Sequence, residues 1–227
     1  MDVRAELTGR LEEAGVEAAL IEQLAAYGAF LLEANQQFNL TGAKTPEELV
    51  PHLLDSLSVV PFARGALVDI GSGGGLPAIP IGIVTKRPIF LIESVAKKAV
   101  FLRKALGELG LQGEVWILRA EAAGHDPALR EQFDTATARA VSSAPTVAEL
   151  LMPFLAIGGR AILQRGNLEE REREALSDAA LMLGGRVAEE HRLEGERRIV
   201  IIEKVEPTNH RFPRRAGVPE KRPLCSP

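Results

Sequence analysis

The feature that most constrains this chain is a glycine-rich segment, which reads Val68-Asp69-Ile70-Gly71-Ser72-Gly73-Gly74-Gly75-Leu76. It follows an apolar run at residues 66–70 that predicts a buried strand, and it precedes Pro77, which is typical of a helix start. Glycines permit positive φ and lack the Cβ that would hold a ligand away from the backbone. In open α/β sheets a nucleotide-like ligand binds at such a strand-to-helix turn. The segment therefore predicts a ligand site, although a purely structural turn would use the same glycines.

Two residues indicate which ligand this turn would bind. A dinucleotide fingerprint, G-x-G-x-x-G, has glycine at its sixth position, whereas this chain has Leu76 there. Asp69 stands at the end of the strand, where its charge would repel a pyrophosphate and attract a cation. S-adenosylmethionine carries an ammonium and a sulfonium group and no phosphate, so the sequence favours it over NAD as the cofactor. The predicted contacts in this segment are Asp69, Gly71, Ser72, Gly73, Gly75 and Leu76.

Beyond the turn, short apolar runs alternate with helical patterns. The predicted strands are residues 66–70, 89–92, 115–118, 133–138, 160–164, 187–193 and 197–205. The alternation predicts a mostly parallel sheet, and the last two strands form a hairpin that adds an antiparallel strand. We therefore expect an α/β, Rossmann-like class I methyltransferase fold with a seven-stranded sheet. Its expected parts are an N-terminal helical region (1–63), an S-adenosylmethionine-binding domain (64–206) and a basic C-terminal tail (207–227).

Composition excludes several other kinds of protein. The single Cys225 and four widely separated histidines predict neither a disulfide framework nor a zinc site. The apolar stretches are too short to span a bilayer, and the acidic N-terminus is unlike a signal peptide. We therefore expect a cytoplasmic protein that has no membrane or metal partner.

Two further acids follow predicted strands. Glu93 ends the strand at 89–92, where a carboxylate can accept from both ribose hydroxyls. Alternatively, Glu93 interacts with the dipole of the next helix, and Ser94 caps that helix. Ala120-Glu121 follows the third strand, where a backbone amide and a side chain can bind an adenine edge, unless Glu121 is a solvated loop acid.

Four segments give the chain a resemblance to a known family. They are Asn39-Leu40-Thr41-Gly42, His52-Leu53-Leu54-Asp55-Ser56-Leu57, the turn from Asp69 to Pro80, and Phe212-Pro213-Arg214-Arg215-Ala216-Gly217-Val218-Pro219-Glu220-Lys221. In these segments the chain resembles the bacterial 16S ribosomal RNA guanine-N7 methyltransferases, known as RsmG or GidB. The resemblance implies methyl transfer from S-adenosylmethionine to a guanine N7 in 16S rRNA, at position 527 near the decoding site. The implied partner is 16S rRNA or the 30S ribosomal subunit, and we expect the protein to be a monomer.

The resemblance also implies which residues contact the cofactor. They are Gly71, Leu76, Ser94, Val95, Ala96, Ala120, Glu121 and Arg139, the last of which lies in Thr137-Ala138-Arg139-Ala140. Arg165 stands where the family commonly has a lysine. An arginine side chain carries the same positive charge as lysine but has a different shape.

Guanine N7 carries a lone pair that is free at neutral pH, so its attack on a sulfonium methyl needs no general base. No Ser/His/Asp or Cys/His arrangement indicates one. Catalysis is expected to come from in-line alignment of the reacting atoms, with Arg139 and Arg165 as positioning residues. Either arginine can pair with guanine O6 or phosphate, or form an ordinary salt bridge.

Other side chains have two interpretations each. His52 and Asp55 share a helix face, where they pack against the sheet or, with Asn39 and Ser56, form a wall of the active site. The tail cations predicted to contact RNA phosphates are Arg214, Arg215, Lys221 and Arg222. Because prolines stiffen the tail, it can instead dock on the domain and close the pocket. Two other functions stay open: a methyltransferase with another substrate, and a non-catalytic RNA-binding assembly factor.

Overall fold

In a computed structural model, residues 2–139 and 142–225 are described. The chain begins with three helices, α1 (Val3–Glu13), α2 (Ala18–Phe38) and α3 (Pro46–Leu57). Helix α3 begins with a capping box, in which the Thr45 hydroxyl accepts from Glu48 N and the Glu48 carboxylate accepts from Lys44 N. The helix ends at Leu57, and a short 3-10 helix, Val60–Phe62, follows it.

Seven strands then form one sheet in the order β3-β2-β1-β4-β5-β7-β6. They are β1 (Leu67–Ile70), β2 (Ile89–Ile92), β3 (Gly113–Trp116), β4 (Phe133–Ala138), β5 (Leu155–Arg165), β6 (Gly185–Arg192) and β7 (Arg198–Lys204). The first five are parallel, while β7 runs antiparallel to both β5 and β6. The predicted fold class, a mostly parallel sheet closed by a hairpin, is confirmed.

Helices between the strands cover both faces of the sheet, and a short helix follows the last strand. They are α4 (Ala78–Thr85), α5 (Ala96–Glu108), α6 (Ala120–Ala123), α7 (Ala144–Leu151), α8 (Glu170–Met182) and α9 (Val218–Lys221). Another 3-10 helix, Met152–Phe154, leads into β5. None of the sequence patterns described above predicted α7.

One strand lies two residues earlier than predicted. The run 115–118 is apolar, but β3 pairs with β2 from Gly113 to Trp116, so its register ends before Ile117. β2 is only four residues long, and its last residue, Ile92, pairs with Trp116. Residues 117 and 118 therefore extend past the end of β2.

Each face of the sheet packs against a different part of the chain that lies outside the central domain. Alternate residues of a strand point to opposite faces, so Leu67 packs into one core cluster and Val68 into the other. The three N-terminal helices complete the first cluster, and Phe212 and Leu224 of the tail pack into the second. The division of the chain at residues 63 and 206 stays a prediction.

Candidate active site

The glycine-rich turn leaves β1 and folds over the end of β2. Gly71 N and Ser72 N both donate to Ile92 O, at 2.8 and 3.2 Å. Gly71 and Gly73 have φ of 69° and 53°, in the region that favours glycine. Gly75 has φ of 92°, and a Cβ there would lie 2.8 Å from Ile79 Cγ1, so this glycine lets α4 pack against the turn.

Glu93 fixes the turn to the end of β2. Its buried carboxylate accepts from Gly73 N at 2.9 Å and from Val95 N at 2.8 Å. A carboxylate has about four acceptor sites, so these bonds leave capacity for hydroxyl donors. The N-cap of α5 is Val95, without a side-chain capping bond, so Ser94 does not cap this helix.

Asp69 lies buried beneath the turn. Its Oδ1 accepts from Thr137 Oγ1 at 2.8 Å, whereas its Oδ2 has no hydrogen-bond partner among the described residues. Burial raises the pKa of this carboxyl from 3.8 to about 7, against the lowering effects of the Thr137 bond and the Arg139 charge. A buried acid with a free oxygen is suited to stabilise a cation placed close to it.

A large cavity of about 730 Å³ opens beside the turn. It lies between the glycine-rich turn and the N-terminal helices, and its residues are Asn39, Leu40, Thr41, Gly42, His52, Asp55, Gly71, Ser72, Gly73, Gly74, Leu76, Lys98 and Arg139. The predicted wall residues Asn39, His52 and Asp55 therefore meet Arg139 in one place. Ser56 is not part of this lining, because it is buried and its hydroxyl donates to His52 O at 2.8 Å.

Two side chains that the sequence did not indicate hold Asp55. Gln164 Nε2 donates to Asp55 Oδ2 at 2.8 Å, and Arg197 Nη1 lies 3.2 Å from Asp55 Oδ1. Burial, followed by the positive charge of Arg139, lowers the pKa of His52. The wall thus presents an oriented carboxylate next to an imidazole that favours its neutral form.

A second cavity, of about 160 Å³, lies on the other side of Gly71. It is lined by Ile70, Gly71, Ile92, Ser94, Leu118, Arg119, Ala120, Glu121, Ser142, Thr146, Leu150, Pro219 and Glu220. The predicted contacts Ser94, Ala120 and Glu121 come together here, whereas Val95 and Ala96 are exposed and line neither cavity. Asp69, Glu93 and Gly75 lie behind the two linings.

Two predicted arginines are engaged by protein groups. Arg165 Nη1 donates to Ser142 O at 2.6 Å and its Nη2 to Glu172 Oε1 at 2.8 Å, outside both cavity linings. Arg214 binds the fully buried Glu149, with Nη2 at 2.6 Å from Oε2. Arg215, Lys221 and Arg222 are exposed. The roles predicted for these residues toward guanine and RNA stay predictions.

Two residues of α2 support the site, and the sequence analysis missed both. The hydroxyl of Tyr27, which is fully buried, donates to Gly74 O at 2.7 Å. Asn35 accepts from Leu40 N and Thr41 N and donates to Thr41 O and Ala43 O. These bonds shape the loop after α2. Tyr27 is the only tyrosine in the chain, and that was the one available signal.

Within residues 2–139 and 142–225, no group of three or more His, Cys, Asp or Glu side chains is placed to hold a metal ion. The helices in this same part of the chain are all too short or too polar to cross a membrane.

The sheet order and the glycine-rich turn with its two buried acids define a class I methyltransferase. The fold is similar to that of ribosomal protein L11 methylase from Lactobacillus delbrueckii subsp. bulgaricus, with a TM-score of 0.54 and 13% identity. That match covers 73% of this chain and 81% of the other. It is also similar to M. jannaschii TYW2 in complex with AdoMet, with a TM-score of 0.52, 16% identity and coverage of 68% and 76%. At these identities the similarity concerns the fold alone.

Sequence comparison identifies the family. The chain belongs to the family described as rRNA small subunit methyltransferase G, which matches residues 20–201. A relative from Rubrobacter xylanophilus, named ribosomal RNA small subunit methyltransferase G, is 43% identical and covers 95% of this chain and 88% of its own length. A relative of the same name from Pelotomaculum thermopropionicum is 41% identical and covers 90% of each chain. The resemblance found in the sequence is therefore confirmed.

Proposed function

We propose that this protein transfers a methyl group from S-adenosylmethionine to N7 of a guanine in 16S rRNA, the one at position 527. The observation that carries the proposal is Asp69, a buried carboxylate with a free oxygen beneath a glycine-rich turn, in a chain of this family. Such a turn favours a ligand that brings positive charge and disfavours a pyrophosphate. Membership of the rRNA family supports the choice of substrate.

The residues present fit the cofactor along the length of the turn. Gly71 would contact its charged methionine end in the large cavity, with Asp69 buried behind the lining, and Glu93 would accept from the ribose hydroxyls. Ser94, Ala120 and Glu121 surround the small cavity, where the adenine would lie. The bound cofactor supplies an electrophilic methyl group on a sulfonium. The protein itself binds this donor, orients it and excludes water.

The guanine would enter the large cavity from the side of the N-terminal helices. Asp55, oriented by Gln164 and Arg197, can accept from the N1–H and N2–H donors of guanine. Arg139, which lines the same cavity, can donate to O6. Because N7 already carries a free lone pair, these residues need to fix only its line of approach, and no proton has to be removed. Lys98, at the same cavity, is placed to attract a phosphate.

Methylation of defined RNA substrates tests this proposal. The purified protein is incubated with radiolabelled S-adenosylmethionine and either free 16S rRNA or 30S subunits that lack the modification. The product is mapped by mass spectrometry of nuclease fragments. We expect one methyl group per RNA, on guanine N7. Label in a protein, or no label in RNA, would contradict the proposed function.

A pair of glycine variants locates the cofactor site. In Gly73→Asp, φ of 53° is a strained conformation that aspartate tolerates better than most residues, and the nearest atoms to a new Cβ are 3.8 Å away. The new side chain should therefore occupy the cofactor space without disturbing the fold, and methylation should be lost. The matched control is Gly15→Asp, because Gly15 has φ of 73°, is exposed and has open space for a Cβ. Equal cofactor binding by the two variants would refute the site. Action as a monomer, and in the cytoplasm, stays a prediction.

A further inference from the structure

The C-terminal segment 212–222, here called the strap, lies against the small cavity. We propose that the strap is a wall of the adenine pocket, and that Glu149 and Arg214 are positioning residues that hold this wall in place. The inference rests on the proposed function, because that function assigns the small cavity to adenine. It gives the tail a role in cofactor binding, separate from any contact with RNA.

The start of the strap is fixed to the protein by buried contacts. Phe212 is buried in the second core cluster, and its carbonyl accepts from Arg130 Nη1 at 2.9 Å. The Pro213 carbonyl accepts from His125 Nε2 at 2.7 Å. Arg130 also donates to Gly124 O at 2.6 Å, so one guanidinium joins the strap to the end of α6. The strap therefore begins at a rigid point beside the cavity.

A buried ion pair holds the middle of the strap. Glu149 of α7 has a fully buried side chain and accepts from Arg214 N at 2.8 Å, Nε at 2.9 Å and Nη2 at 2.6 Å. Arg214 Nη2 also donates to Arg222 O at 2.7 Å, which joins the two ends of the strap. A buried carboxylate without its partner is costly, so Glu149 requires the strap to be docked. Arg214 thus faces inward.

The inner side of the strap reaches the residues around the cavity. Glu121 Oε1 accepts from Gly217 N at 2.8 Å, and Thr146 Oγ1 donates to Pro219 O at 2.9 Å. Pro219 and Glu220 themselves line the cavity, together with Ala120 and Ile92. Without the strap, this side of the cavity would open to solvent. The Glu121 carboxylate is used to hold the strap, so its effect on adenine would be through the shape of the wall.

The outer side of the strap carries positive charges that are exposed to solvent, whereas the inner side is bonded to the protein. Arg215, Lys221 and Arg222 are exposed, while Arg214 is held inside by Glu149. Neighbouring arginines in one segment should therefore give different phenotypes. Loss of Arg214 should weaken binding of any ligand that contains adenine, even when no RNA is present.

Calorimetric titration of the full-length protein without RNA tests the strap. The ligands are S-adenosylhomocysteine and 5′-methylthioadenosine, which share adenosine but differ in the amino-acid end. We expect Arg214→Ala to bind both about tenfold more weakly than wild type. Thr146→Val, which removes the hydroxyl bonds to Pro219 O and to Ser143 Oγ, should bind both about threefold more weakly. Arg214→Lys keeps the charge but not the two-pronged geometry, and it should fall between wild type and Arg214→Ala.

The matched control is Arg173→Ala, which breaks a similar arginine–glutamate pair elsewhere. Arg173 Nε and Nη2 donate to Glu190 at 3.1 and 3.0 Å, between α8 and β6. It should bind both ligands as wild type does. If Arg214→Ala and Thr146→Val lower only the melting temperature and keep wild-type affinity, the strap is not a pocket wall. If wild type binds neither ligand, the proposed function fails, and the strap proposal fails with it.

Discussion

Replacing Asp69 by asparagine should have opposite effects on two properties: the stability of the fold at high pH and the affinity for the cofactor. The carboxyl is buried, accepts one bond from Thr137, and has a second oxygen without a partner among the described residues. Burial raises its pKa from 3.8 to about 7. In the folded protein without cofactor, Asp69 therefore keeps its proton up to about pH 7. Its charged form would stabilise a cation bound at the turn.

The size of the effect follows from this pKa shift. An acid with a raised pKa binds its proton more tightly in the folded state, so stability is greatest below pH 3.8 and decreases as the pH rises toward 7. The full shift of about three pH units corresponds to about 4 kcal/mol. Roughly 2 kcal/mol of that loss has occurred by pH 5, and nearly all of it by pH 8. Asparagine keeps the shape but does not ionise, although its amide adds an unpaired donor at a cost of about 1–3 kcal/mol.

We therefore expect the unfolding free energy of Asp69→Asn, relative to wild type, to rise by about 2–3 kcal/mol between pH 5 and pH 8. Urea unfolding followed by circular dichroism, at several pH values and without cofactor, measures this difference. At pH 8 the variant should also bind S-adenosylmethionine more weakly, because the negative charge beneath the turn is gone. A difference in stability that stays constant across the pH range would refute the reasoning.

Three further replacements address the supports of the site. Tyr27→Phe removes the buried bond to Gly74 O and should lower the free energy of unfolding by about 1–2 kcal/mol, measured by urea unfolding; an unchanged value would contradict this. Asn35→Ala should raise the KM for RNA about tenfold and leave cofactor affinity nearly unchanged in titrations, since it frees the loop before Lys44. Asp55→Asn should lower kcat/KM for RNA about tenfold or more while cofactor still binds, and loss of cofactor binding would argue against a role toward guanine.

The sequence predicted those parts of the fold whose patterns are local. β2 and β4 were predicted to the residue: β2 is an apolar run, β4 combines apolar residues with the β-branched Thr135 and Thr137, and both are bounded by polar or turn residues. Helix α7 was missed because all of its residues, Ala144–Leu151, are buried. Its polar residues Thr146 and Glu149 are buried as well, because they bond to the strap, so their polarity does not mark a side that faces solvent.

The residues of the site likewise fall into two groups, those that a local sequence pattern indicates and those that it does not. The glycine-rich turn and Glu93 follow a strand directly, so their roles could be inferred from position alone. The supports depend on residues far apart in the chain: Tyr27 is 47 residues from Gly74, and Asp55 is 109 from Gln164 and 142 from Arg197. No local pattern identifies such pairs. A run of tail cations likewise does not reveal that one of them, Arg214, pairs with a buried acid.

The positions of the two cavities suggest where the selectivity of this protein resides. A parallel sheet leaves a crevice at the carboxyl ends of its strands, and the glycine-rich turn and the two buried acids lie at this crevice. That crevice is open on both sides. Here the loop after α2 and helix α3 close one side around the large cavity, and the strap closes the other around the small one. Both closing segments lie outside residues 64–206. Changes to α3 should therefore alter which nucleobase is accepted, and changes to the strap should alter how tightly the donor is held.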